Sequence, residues 1–449
     1  MFALARRKMT RAFSWERRTL QELQAMRFLI LTQYFSPEVG APQTRLSAFA
    51  RELIRQGHSV EVVTALPNYP RGKVFDGYRN RWNVCETIDG VRVHRTWVYA
   101  SLGAGWKRAV SFASFAITSL SGLCKCARPD WIFVESPPLA LVLPAILAAR
   151  FWRAPVIMNV ADLWPDSIRA LGLTRSSIVM KALEALERFA YARSDMISAV
   201  SDGVRQSLIR EKCVPASKIL LLENGVDPNI FRPQSPDEEL KCTLGIQEQR
   251  IALFAGTHGL AQGLEHALAA ARLLQNESIH FLFIGDGSAK SRLVQLTNDW
   301  QLRNVTFLAP VDTTEVARYF SIAECGLACQ RDVALLEGNR PAKITSIMAC
   351  GKPVVFAGKG EGARLVEDAH GGVVVKPEDA LALANAIRNV VARPSHAAEM
   401  GRNGRAFVEQ HFTWDLLVRQ WLTQVLALRE CAPAAPSSRE RAAQASVGQ

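Results

Sequence analysis

Lys343 is the residue whose placement points most directly to chemistry; it lies in EGNRPAKITSIMACGKPVVFAG, Glu337 to Gly358. Pro341 before an apolar stretch predicts a helix starting near Ala342, with Lys343 in its first turn. An ammonium there opposes the positive end of the helix dipole. A bound phosphate resolves that conflict, since dipole and ammonium attract the same anion; a lysine bent into solvent is the other reading. Three further loops suit a phosphorylated ligand. In PEVGAPQT, Pro37 to Thr44, Gly40 and Ala41 let backbone approach a ligand, and Arg45 adds positive charge at the mouth. In AGTHGLAQGL, Ala255 to Leu264, Gly256, Gly259 and Gly263 surround Thr257 and His258 and suit a diphosphate. His258 is read as a contact to sugar or phosphate, or else as a surface histidine without a role. In IGDGSAKSRL, Gly285-Asp286-Gly287 makes a tight turn able to seat a nucleoside. Taken singly, each also describes an ordinary strand-to-helix turn.

Positioning these loops requires strands ending at them. Apolar runs at RFLILTQ, SVEVVTA, Val91–Trp97, Trp131–Glu135, Val156–Val160, Met196–Val200 and Ile219–Leu222 alternate with helical patterns such as TRLSAFARELIRQG. After a polar, proline-rich stretch, ENGVDPNIFRPQSPDEE, the alternation resumes at IALFAG, IHFLFIG, VTFLAP, CGLAC, PVVFAG and GGVVVK. A helix at Asp379–Val391 and a long one at Trp414–Leu428 follow. Short strands separated by helices imply parallel pairing with crossovers. The expected fold is α/β, with two Rossmann-like doubly wound parallel-sheet domains facing across a cleft. Ligands of such sheets bind at the carboxyl ends of the strands. No GxGxxG fingerprint follows the first strand, which argues against a nicotinamide dehydrogenase.

Composition agrees with two domains: 449 residues, 49% apolar and 21% charged. The +12 charge is uneven, for residues 1–225 hold 31 Lys+Arg against 18 Asp+Glu while 226–449 hold 23 against 24. A basic first half suits an anionic partner, and without a nucleic-acid-binding signature an anionic membrane face is favoured over nucleic acid. Ala109–Cys124 is uncharged but too short to span, and it is flanked by Trp106, Lys107, Arg108 and Lys125. It reads as a helix in a membrane interface or as a buried helix of the first domain. The nine cysteines lack zinc spacing; the close pairs, Cys124/Cys126 and Cys325/Cys329, read as small reduced apolar residues in a cytoplasmic protein. Residues 1–25 carry six basic and two acidic residues, which reads as a disordered arm or a start misassigned ahead of Met26. The Ala-, Pro- and Ser-rich 431–449 is expected to be a disordered tail.

In YFSPEVGAPQTRLSAFARELIRQGH, PNYPRGKVFDGY, DGVRVHRTW, ADLWPDS, FAGTHGLAQGL and PAKITSIMACGKPVV, the chain resembles the retaining family 4 glycosyltransferases of GT-B fold over about residues 26–430. It is most similar to the subgroup of the L-fucosamine transferase of O-antigen and capsule synthesis. The resemblance implies an acceptor-binding domain at 26–224 and a nucleotide-sugar-binding domain at 225–412, with a helix at 413–430 crossing back to the first. Asp162 and Lys343 would be the catalytic pair, Asp162 facing donor sugar and acceptor and Lys343 holding the diphosphate. Gly40, Gly256, Thr257 and His258 would line the phosphates and sugar, while Gly285, Asp286 and Val305 would lie near the base. The family carries two glutamates separated by seven residues. Here the second position is Ser346, and the nearest candidate for the first, Glu337 beside Gly338, is offset by one. Serine offers one hydrogen bond to a ribose where a carboxylate offers two acceptors.

The implied reaction moves a sugar, of N-acetylated hexosamine type, from a UDP-sugar to a polyprenyl-diphosphate-linked or glycan acceptor, with retention, at the inner face of the plasma membrane. No cofactor is implied, and without an Asp-x-Asp motif the reaction is expected to be metal-independent. Alternatives are a non-catalytic nucleotide-sugar or glycan-binding component of an assembly complex, and a GT-B-fold UDP-sugar epimerase.

Overall fold

The computed structural model describes residues 25–431 except 39, 70–71, 102–104, 171, 173–175 and 248. The arm and tail expected at 1–25 and 431–449 therefore lie almost entirely outside the described residues.

Eight strands form the first sheet: β1 Arg27–Leu31, β2 Ser59–Ala65, β3 Asn83–Ile88, β4 Val91–Thr96, β5 Trp131–Ser136, β6 Val156–Val160, β7 Met196–Ala199 and β8 Ile219–Leu221. Their order is β3-β4-β2-β1-β5-β6-β7-β8. β9 Arg250–Ala255, β10 Ile279–Ile284, β11 Val305–Leu308, β12 Cys325–Cys329, β13 Val354–Ala357 and β14 Gly372–Val375 form the second, in the order β11-β10-β9-β12-β13-β14. Counted within that sheet, the order is 3-2-1-4-5-6, the doubly wound arrangement with its switch point between β9 and β12. In the first sheet the reversal falls between β1 and β5. The central strands are buried on both faces, which their continuous apolar runs dictate.

β3 departs from the expected pattern. It pairs antiparallel with β4, Cys85 opposite His94 and Ile88 opposite Val91, while the other pairings are parallel. The hairpin closes through Asp89 and Gly90 at φ 50° and 80°. Two successive positive-φ residues match the right-handed twist of the strands, and Asp-Gly adopts them readily. NVCETI was not among the expected strands, being half exposed at the sheet edge with little apolar periodicity.

The helices used below are α1 Ala41–Arg55, α2 Trp106–Leu123, α3 Val142–Trp152, α4 Asp202–Arg210, α5 Ala334–Glu337, α6 Ala342–Ala349, α7 Glu361–Asp368 and α8 Trp414–Cys431. Segment 224–240 runs between the sheets without forming a loose tether. The Val226 amide donates to the Phe412 carbonyl at 2.8 Å, and Phe231 is buried in the second core. α8 lies on the first domain, against α1 and β8. Its Trp421 is fully buried against Phe28, Phe49 and Phe133, and the indole N–H donates to Ser198 Oγ at 3.2 Å. Gln424 exchanges two hydrogen bonds with the backbone of Leu221. Trp421→Ala should destabilise the first domain by about 3–5 kcal/mol, the cost of emptying a large aromatic site. Urea unfolding followed by circular dichroism would measure it; a loss under about 1 kcal/mol would make α8 a passive appendage.

Candidate functional site

Loops leaving the carboxyl ends of the two sheets meet in the cleft. On the second domain the turns after β9 and β10 interlock. The Gly256 amide donates to the Ile284 carbonyl at 2.9 Å, and the His258 amide to the Asp286 carbonyl at 2.8 Å. Gly285, at φ 142°, lies against the Gly256 carbonyl so closely that any Cβ would collide with it. Lys290 clamps the turn from beneath, its Nζ donating to the carbonyls of Gly285 at 2.6 Å and Leu308 at 2.8 Å. Lys290 was not foreseen, although a lysine five residues after a glycine at a strand-to-helix turn is the signal that could have found it.

α6 aims its N-terminus at this turn. Pro341 precedes it, and the first amides of a helix have no intrahelical partner. Lys343 folds back over the turn, Nζ 4.5 Å from the Phe254 ring centroid and Cε 3.3 Å from where a Gly256 side chain would begin. No carboxylate pairs with it among the described residues. Burial lowers its pKa to about 8, with a small opposing effect from Cys329. The ammonium is thus held at a glycine floor, beside a helix N-terminus, without an internal counter-ion. Ser346 lies one turn on, its hydroxyl donating to the Ala342 carbonyl at 3.4 Å.

Across the cleft, Tyr69 hydrogen-bonds the Thr257 side chain and faces Asp286, and its ring flanks Gly40. Glu38 holds that tyrosine's backbone, accepting from the amides of Phe35, Asn68 and Tyr69 at 3.2, 2.7 and 2.8 Å. Burial raises the Glu38 carboxyl to about 7 in spite of these donors. Tyr69 and Glu38 lie in motifs quoted above, but which of their residues faces the cleft becomes visible only in three dimensions. Asp162, just beyond β6, accepts from Ser167, the Leu163 amide and the Asn339 side chain of the second domain, and burial raises its pKa. The domains touch beside it: Ser201 Oγ donates to the Gly338 carbonyl at 2.7 Å, and Gly203 lies against Gly338 while its amide donates to Glu361 at the start of α7. Glu337, at the end of α5, is exposed.

Three expected positions differ. Arg45 is not a free cation at the mouth. It is nearly buried and ion-paired to fully buried Glu135, which also accepts from Asn159 at 2.8 Å, because an unpaired carboxylate there would be too costly. His258 does not reach toward the cleft. Its ring is fully buried among Phe254, Phe283 and Phe307, and burial, with Lys290 and Lys343 nearby, lowers its pKa to about 4. The imidazole is therefore neutral, and the polar contacts of the loop come from its backbone and from the Thr257 side chain. Val305 begins β11, whereas the turn at Gly285 meets Leu308 at the strand's other end. Three residues of strand, about 10 Å, separate them.

Residues 40–225 match the family described as glycosyl transferase 4-like domain, and residues 237–407 that described as glycosyl transferases group 1. The two matches make the chain a glycosyltransferase with a glycosyl transferase 4-like domain and a group 1 domain. A protein of Escherichia coli (strain K12) named for colanic acid biosynthesis, the glycosyl transferase WcaI, is 27% identical over 89% of this chain and 100% of its own length. Two solved structures share the GT-B fold. Sucrose-phosphate synthase of Thermosynechococcus elongatus has TM-score 0.70 and 18% identity, covering 91% of this chain and 100% of that one. HepE of Anabaena, solved with UDP and glucose, has TM-score 0.68 and 17% identity over 90% and 99%.

In this glycosyltransferase Gly203 and Gly338 bring the two domains backbone to backbone. A Gly203 Cβ would meet the Gly338 carbonyl oxygen at 2.6 Å. Gly203→Ala should hold the cleft ajar, raising the radius of gyration in small-angle scattering and lowering transfer about 100-fold, the scale of an ångström's misplacement. An unchanged scattering profile with full activity would remove closure from the account.

Proposed function

We propose that the chain transfers a sugar, of N-acetylated hexosamine type, from a UDP-sugar to a polyprenyl-diphosphate-linked or polysaccharide acceptor with retention. The observation that carries the reading is Lys343, a half-buried cation with no carboxylate partner among the described residues, at a helix N-terminus above a glycine floor. A diphosphate supplies the missing charge, and its charge grows as the glycosidic bond breaks, so stabilisation is greatest in the transition state. Asp162 and Asn339 stand where the donor sugar would lie, one from each domain. Retention follows if the acceptor attacks from the face the diphosphate leaves, a phosphate oxygen taking the acceptor proton. The Gly285 turn and Leu308 would hold the base, with Ser346 at the ribose. The colanic acid name of the Escherichia coli relative and the UDP bound to HepE accord with this reading.

The first domain offers features for a lipid-linked acceptor. A recess of about 400 Å³ beside the carboxyl end of β4 is lined by Tyr78, Arg79, Arg81, Trp82 and Trp97, the two indoles stacked at 5.5 Å. Sugar rings stack on such surfaces and arginines pair with phosphate. α2 buries Ser111, Phe115 and Ser119 against the sheet and leaves Trp106 and Ile117 about 70% exposed. α3, packed beside it, exposes Leu143, Leu147 and Phe151. With Lys107, Arg150 and Arg153 at hand, this face would rest on an anionic membrane. No helix among the described residues is long and apolar enough to cross one. The protein should float with phosphatidylglycerol vesicles at low salt and release at high salt, and Ile117→Ser with Phe151→Ser should weaken capture. Equal capture by neutral vesicles, or none, would remove the membrane from the reading.

UDP, and not GDP, should raise the melting temperature of the wild type, and Lys343→Ala should bind UDP about 100-fold more weakly. The pH dependence has a definite sign. The folded lysine loses its proton near 8 and the unfolded one near 10.5, so the fold's own stability rises between those values. Diphosphate binding requires the ammonium, so UDP affinity should fall about tenfold per pH unit above 8 in calorimetry, and should not do so in Lys343→Ala. Equal binding by wild type and variant would sink the donor site. A non-catalytic role is favoured by one observation, Ser346 in place of a carboxylate. It predicts UDP binding without hydrolysis or transfer across a panel of UDP-sugars.

A further inference from the structure

A cluster of metal-ligating side chains lies outside the cleft, on the α2 face of the first sheet. α2 starts after the carboxyl end of β4 and runs back against the strands. Gly122 lets it settle: a side chain there would meet Val63 Cγ1 at 2.9 Å and Thr96 Cγ2 at 3.0 Å. One turn later Cys126 arrives over Glu61 and His94, each two residues earlier on its strand than Val63 and Thr96 and therefore on the same face. One ligand atom from each of Glu61, His94 and Cys126 lies within 4.8 Å of the other two. Glu61 Oε2 is 3.2 Å from His94 Nε2, and Cys126 Sγ is 3.4 Å from the Gly122 carbonyl. Cys85, directly opposite His94 in the β3–β4 hairpin, presents a further thiol on this face.

We propose that Glu61, His94 and Cys126 form a zinc site, its fourth position filled by Cys85 or water. A carboxylate, an imidazole and a thiolate are the donor set that a borderline-soft, tetrahedral cation takes, whereas magnesium and calcium prefer oxygen alone. Bonds of about 2.0–2.3 Å draw four such donors to roughly 3.5 Å apart, so the present spacing needs only a small contraction. One further observation supports the site. Nδ1 of the buried His94 has no hydrogen-bond partner among the described residues. A divalent ion would fasten the C-terminal end of α2 to β2 and to the edge hairpin. It would sit at the end of the helix away from the cleft, so its effect is on stability and does not depend on the transfer reading.

The test uses the full chain, stripped with a chelator and titrated with Co²⁺. One equivalent should bind, with a thiolate-to-cobalt charge-transfer band, and zinc should displace it. Cys126→Ser and His94→Ala should each weaken binding by more than about 100-fold, beyond what losing an outer-shell partner costs. Circular dichroism confirms that the variants are folded, and Glu61→Gln, which keeps the side-chain shape, provides an independent case. Zinc should raise the melting temperature of the wild type and leave Cys126→Ser unmoved. No stoichiometric cobalt binding, or binding with an unchanged thiolate band in folded Cys126→Ser, would overturn the site.

Discussion

A lone cation held at the positive end of a helix dipole is the constraint on which the cleft depends. Lys343 lowers its own pKa by being there, and the fold supplies no carboxylate to relieve it among the described residues. Relief from within is blocked by packing. The floor beneath the ammonium is backbone, Gly256 pressed against Gly285, and side chains at these glycines would collide with a neighbouring carbonyl or with Lys343 itself. The anion has to come from outside. A site that is electrostatically incomplete by construction favours the species carrying the most negative charge, and under the proposed reaction that species would be the departing diphosphate.

The same economy of side chains joins the domains. Gly203 and Gly338 bring backbone to backbone, and the polar ties around them, Ser201 to Gly338 and Gly203 to Glu361, use main-chain groups on one side. A backbone contact has a fixed stopping distance, whereas long side chains tolerate a range of them. Asp162 and Asn339 meet beside this contact, so a donor sugar held there, as proposed, would depend on how closely the domains approach. On the outer side, Arg340 pairs with Glu223 at 2.6 Å and stacks on Phe412 at 4.3 Å, tying the loop before α6 to both interdomain crossings of the chain.

Strand-and-helix alternation made the two parallel sheets legible in the sequence, because buried central strands must be continuously apolar. β3 escaped because its half-exposed edge position removes that requirement. The Asp89-Gly90 turn was the available signal. The glycine loops and the helix beginning at Ala342 were likewise readable, being matters of backbone. Side-chain direction was not. Arg45, His258 and Val305 all sit in or beside loops correctly read as converging, yet one is spent on Glu135, one turns among phenylalanines and one lies at the wrong end of its strand. Tyr69, Glu38, Lys290 and Asn339 enter through contacts 30 to more than 170 residues apart or through carbonyls, for which a single sequence holds no periodic trace.

α2 gathers the consequences of the basic half of the chain. Its sheet-facing side mixes the small and hydroxylic Ser111, Thr118, Ser119 and Gly122 with Phe115 and Leu123, and Thr118 and Ser119 donate to the carbonyls of Phe115 and Ala116. Its outer side carries Trp106, Val110 and Ile117. A helix that also presents large apolar side chains outward has surface left to bury elsewhere. Its two ends differ in kind. The N-terminal end, with Lys107 and with Arg108 over Tyr34, stands on the cleft side near the recess lined by Trp82 and Trp97. The C-terminal end comes down on Glu61 and His94. Fastening that far end would hold the helix as a rigid ledge, so that whatever the outer face rests upon is kept in fixed register with the cleft.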